Sequence, residues 1–174
     1  MAIPEARFLE RARGAYELGR VLAGLRTAAL AAPMAAASLL VCGRPAVTLL
    51  DASLLALVVT TMVWRGGDVG RGARLGLLAG IPPLVVPMAA VAAGRACGTS
   101  FCDYFPAVCL VGGILGGAVV TRLCRRRRAS PLAAAGVAVL AGTLGCLVAG
   151  AAGVAVLAAG LLAGASPTLV ARRA

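Results

Sequence analysis

Residues 104–128 read YFPAVCLVGGILGGAVVTRLCRRRR. No side chain from about Tyr104 to Thr121 carries a charge, and a helix of that length would be about 27 Å long. The hydrocarbon core of a bilayer is about 30 Å thick, so the stretch predicts a membrane-crossing helix. Arg122 and Arg125 to Arg128 follow at once, where a basic anchor would meet anionic lipid head groups. Arg-rich flanks stay on the cytoplasmic side, so this one segment also gives the chain an orientation.

The pattern repeats outward in both directions. Apolar stretches from about Thr27 to Cys42, Ala46 to Trp64 and Leu75 to Gly94 precede it, and an Ala/Gly/Val/Leu tract from Pro131 to Val170 follows. Gly150 and Gly153 offer a turn that divides this tract into a fifth and a sixth helix. Six crossings put Arg7, Arg11, Arg13, Arg20, Arg26, Arg65, Arg71, Arg74, Arg122, Arg125 to Arg128, Arg172 and Arg173 on one side. Only Arg44 and Arg95 then lie on the other, whereas five crossings would move Arg172 and Arg173 outside. The expectation is an all-α integral membrane protein with six transmembrane helices, N-in/C-in, multi-pass in a bacterial inner membrane. It divides into a cytoplasmic amphipathic segment over 1–26, a six-helix domain over 27–170 and a cytoplasmic tail over 171–174. The first helix reads as uncleaved, because Val41 stands before Cys42 where a lipoprotein signal needs a small residue.

Composition agrees. Of 174 residues 61% are hydrophobic, and the mean hydropathy is +0.97, well above a soluble domain. His, Lys, Asn and Gln are absent. Their codons are A- and U-rich, so a GC-rich bacterial genome accounts for part of the Ala, Gly and Arg excess. Without His there is no Ser-His-Asp triad and no imidazole metal ligand; without Lys there is no Schiff base and no Walker A loop. No acid–base pair or activated nucleophile stands out, so neither an enzyme nor a cofactor is expected. The net charge of +11 follows the predicted topology, and direct nucleic-acid binding is not expected.

Within 1–26, Phe8, Leu9, Ala12, Tyr16, Val21 and Leu25 form a broken apolar stripe opposite Arg and Glu. This suits an interfacial helix or a docking helix for a cytosolic partner. Pro82, Pro83 and Pro87 should bend or break the third helix. Gly112, Gly113, Gly116 and Gly117 form two overlapping GxxxG patterns, and Gly160 with Gly164 forms another. Such patterns serve helix packing within the chain or self-association into a homo-oligomer. Asp51, the only acidic residue within a predicted span, either snorkels toward water or pairs with Arg44 or Arg95.

Of six cysteines, Cys42, Cys97, Cys102 and Cys109 fall near the outer face, which is oxidising outside a bacterial inner membrane. Cys97 and Cys102 flank the outer loop and could close it as a disulfide. Alternatively, Cys97, Cys102 and Cys109 form a thiol sensor or a soft-metal site. The Cys97-x4-Cys102 spacing matches neither a zinc knuckle nor a thioredoxin-like C-x-x-C.

The succession Cys109-Leu110, a small-residue helix, Arg125 to Arg128, Ser130-Pro131, then Ala141-Gly142 and Gly145 resembles the NrsF-type membrane negative regulators of sigma factors. The resemblance covers roughly residues 105–170. It implies six helices, an extracytoplasmic-function sigma factor held at the inner face, and release on a periplasmic thiol, metal or oxidant signal. Cys109 matches the family's first cysteine. The family's second follows a His near the end of the fifth helix; this chain has no His, and Cys146 comes earlier. The sensing is therefore expected of Cys97 and Cys102 together with Cys109. Phe8, Tyr16, Arg71, Arg74, Arg125 and Arg126 would form the partner surface. A small soft-metal or solute transporter, using the Pro-rich helix and a thiol path, is the rival expectation, and a structural or assembly protein of the bilayer is the third.

Overall fold

Gly43 and Gly66 hold φ at +64° and +73°, backbone conformations that a side chain would strain, and each ends a helix. The computed structural model describes residues 5–97, 105–146 and 150–170. These form eight helices: α1 (Glu5–Ala28), α2 (Ala31–Cys42), α3 (Pro45–Arg65), α4 (Gly67–Ala79), α5 (Ile81–Cys97), α6 (Phe105–Arg127), α7 (Pro131–Cys146) and α8 (Gly150–Val170). The 131–170 tract is thus two helices, α8 opening on Gly150 at φ +65°. No strand occurs among the described residues.

Four stretches are long and apolar enough to cross a membrane: 10–41, 45–65, 67–95 and 106–127. Pro131–Cys146 and Gly150–Ser166 are shorter apolar helices. The first long stretch joins α1 to α2, and the boundary expected at residue 26 falls inside α1. A Cβ on Gly24 would stand 3.0 Å from the Thr60 carbonyl oxygen of α3, so the last turns of α1 belong to the helix bundle. The third stretch joins α4 to α5 through Gly80, which keeps helical angles of −77° and −12°.

Close glycine contacts give the helix directions. Gly113 and Gly117 of α6 meet Gly160 and Gly164 of α8 in order, so these helices run parallel, backbone against backbone. Gly72, Gly76 and Gly80 meet Ser130, Ala134 and Ala141, so α4 runs parallel to α7. Gly112 lies against Pro83 and Gly116 against Ala79, so α6 runs antiparallel to the α4–α5 pair. Successive rods therefore alternate in direction. One end of the bundle gathers the α2–α3 turn, the end of α5, the start of α6 and the end of α7; the opposite end gathers Arg65 to Gly67 and Arg127 to Pro131.

Where helices meet the prolines of α5, glycine again lines the contact. Pro83 and Pro87 have no N–H to offer the carbonyls of Ala79 and Pro83. Gly116 faces the Ala79 oxygen, and Gly145 faces those of Pro83 and Leu84, at 3.2 Å from its Cβ position for Pro83. The close backbones cover these oxygens and bring Cα–H groups toward them. On α3 the stripe Thr48, Asp51, Leu55, Val59 and Val63 faces inward. Leu50, Leu54 and Leu57 face outward, as do Leu132 of α7 and Leu162 of α8, which suits lipid contact.

Candidate thiol site at one end of the bundle

The Sγ atoms of Cys109 and Cys146 lie 2.8 Å apart, and either can donate to the other. Cys109 sits in the first turns of α6 and Cys146 is the last residue of α7; neither is exposed. The turn joining the two helices sets their register. Arg128 takes a left-handed conformation (φ 47°), and the Ser130 N–H donates to the Asp68 carbonyl of α4 at 3.0 Å. Two apposed thiols can lose two electrons and become a disulfide, or hold a soft cation as thiolates. Among the described residues no three His, Cys, Asp or Glu side chains gather as metal ligands.

Cys97 ends α5, but its side chain and the whole of Cys102 lie outside the described residues, as does any loop disulfide between them. The structure therefore pairs Cys109 with Cys146, which the family spacing had set aside. The missed signal was depth. Counted outward from the Arg128–Pro131 turn, Cys109 and Cys146 reach the same end of neighbouring antiparallel helices. Cys124 is also buried but lies near the opposite end, its Sγ 4.0 Å from the Ser130 carbonyl oxygen.

The last turn of α7 touches two further helices. The Ser38 hydroxyl of α2 donates to the Leu144 carbonyl at 2.6 Å. Thr143 Oγ1 lies 2.6 Å from Asp51 Oδ2 of α3. Asp51 thus meets a hydroxyl where the sequence offered Arg44 or Arg95. The Arg95 guanidinium instead donates to the Val41 carbonyl at 2.8 Å, and Arg44 is exposed.

The opposite end is basic. Arg71 pairs with Asp68 at 2.6 Å, while Arg74, Arg125 and Arg126 are exposed. Tyr16 is exposed and lies under the Arg20 guanidinium, which also stands 6.0 Å from the Trp64 ring. The Trp64 indole N–H donates to Glu17 at 3.1 Å, tying α1 to α3. The side chain of Phe8 lies outside the described residues. Comparison with protein-family models, with characterised proteins and with solved structures yields no significant match.

Proposed function

We propose that the chain is a multi-pass regulator of a bacterial inner membrane, crossing six times with both termini in the cytoplasm. In this reading its basic inner end holds a cytosolic sigma factor and releases it when the outer thiol pair is oxidised. The observation that carries the reading is the apposition of Cys109 and Cys146. It gives the regulator reading two cysteines that can close on each other at one end of α6 and α7.

The chemistry is balanced with an external peroxide. The two thiols lose two protons and two electrons, one S–S bond forms, and the peroxide O–O bond is cleaved as it is reduced to water. The sulfurs then close to about 2.05 Å. A bound soft metal would act in the opposite sense, holding two thiolates about 4 Å apart with metal–sulfur bonds of about 2.3 Å. Helix α6 carries Cys109 at one end and Arg125 to Arg127 at the other, about 24 Å away along its axis. Its glycine faces make that rod sensitive to sub-ångström displacement, since no side chain cushions them. The transporter reading gains less support, because α6 and α7 backbones cover the carbonyls freed by proline in α5.

Photoreactive residues at Tyr16 and Val69 test the reading in membranes. The expected result is capture of one cytosolic sigma factor, lost after peroxide treatment and retained after treatment in Cys109→Ser. Capture of lipid and self alone would overturn it.

A further inference from the structure

Thr143 and its two neighbours need more protons than Thr143 owns. Its Oγ1 lies 2.6 Å from Asp51 Oδ2 and 2.7 Å from the carbonyl oxygen of Leu140. Both are O–H···O distances, and each requires a proton between the oxygens. A hydroxyl brings one, and a carbonyl oxygen brings none. Were Asp51 a carboxylate, one contact would press two lone-pair oxygens together with nothing between them.

We propose that Asp51 is a proton-binding site within the membrane-spanning part of the protein. Its carboxyl O–H donates to Thr143 Oγ1, and the Thr143 hydroxyl donates in turn to the Leu140 carbonyl. The surroundings support the neutral acid. Asp51 is 9% exposed, and neither α2 nor α7 brings a charged side chain to it. Arg95 is engaged by the Val41 carbonyl, and Arg44 is exposed at the α3 terminus. The charges of α1 and α4 lie toward the other end of α3, where Glu17 meets Trp64 and Gly70 meets Met62 and Val63. An isolated carboxylate in such a place would be far costlier than a hydrogen-bonded acid.

A second buried hydroxyl shares the inward face of α3 with Asp51. Thr48 lies one turn from Asp51 on the same inward face of α3, fully buried, and its Oγ1 has no hydrogen-bond partner among the described residues. It lies between Asp51 and the α2–α3 turn along α3. When the proton leaves, Thr143 must give its single proton either to the carboxylate or to Leu140, and the α3–α7 contact changes. This site stands on the proton count alone and does not depend on the regulator reading.

Infrared spectroscopy of the full chain in lipid vesicles tests it, with Asp51→Asn and Thr143→Val as variants. At neutral pH we expect the C=O band of a protonated carboxylic acid, downshifted in D2O, lost in Asp51→Asn and shifted in Thr143→Val. The Asn amide keeps a donor toward Thr143, and the amide band of the same sample reports whether the helices are intact. If Asp51→Asn fails to fold, the Thr143→Val shift carries the test. No acid band at neutral pH, a band untouched by either variant, or a band abolished by added sodium would each overturn the proposal.

Discussion

Gly113 of α6 and Gly160 of α8 lie so close that a Cβ on either would stand 3.0 or 3.1 Å from the other's Cα, and 2.5 or 2.6 Å from a carbonyl oxygen of the facing helix. The obstacle in each case is backbone, which cannot swing aside as a side-chain tip can. Gly113→Ala and Gly160→Ala should each cost about 1–3 kcal/mol through forced separation of the helices. Gly136 of α7 has open space around its Cβ position, and Gly136→Ala should be neutral or stabilise by up to about 1 kcal/mol. Unfolding in detergent micelles would compare the three; equal effects at all three positions would contradict the backbone contact.

The thiol pair predicts a specific covalent product. Mild oxidation of membranes should protect Cys109 and Cys146 together from maleimide labelling, and peptide mapping should find them joined. Cys146→Ser should leave Cys109 free to label under the same treatment. The two single variants should abolish signal response equally and the double variant should add nothing, because both remove one bond. A bond from Cys109 to Cys97 or Cys102 would contradict the pairing.

At the same end of the bundle, Ser38→Ala removes a buried hydroxyl bond to Leu144 and should cost about 1 kcal/mol. Leu144 is itself fully buried, and Leu144→Ala should cost about 2–5 kcal/mol through the cavity it leaves. Denaturation of the purified chain would give both values, and the larger should be the cavity.

Trp64 is the single tryptophan, and it carries the Glu17 contact at the basic end. Its fluorescence therefore reports how α1 sits on α3. Glu17→Ala and Arg20→Ala should each raise quenching of Trp64 by a soluble quencher, whereas Arg125→Ala on α6 should leave it unchanged. Unaltered quenching in all three would mean that these contacts do not hold α1 in place.

Apolar length and glycine turns made much of the helical architecture readable in the sequence, including the start of a separate helix at Gly150. The GxxxG patterns were visible too, but not which helix each would meet: a glycine stripe specifies a close approach, not a partner. The first segment was bounded by charge, since Thr27 begins the charge-free run; the packing of Gly24 on Thr60 within α1 is a contact that charge does not reveal. Cys109 was legible by its place at a helix start. Cys146 was not, because spacing along the chain says nothing about depth until the turn between α6 and α7 is fixed. Asp51 stood out as the acidic residue of a span, but charge alone nominated arginines, and only the three-dimensional register brought Thr143 to it.

The last turn of α7 supplies Thr143 to α3, Leu144 to α2 and Cys146 to α6. In genetic terms, three lineages of substitution converge on one turn of helix. A change at Ser38, Asp51 or Cys109 alters the seat on which the other two depend, although they sit on three different helices. Their fitness effects should therefore be strongly epistatic, and second-site suppressors of a defect at any one of them should fall among residues 140–146.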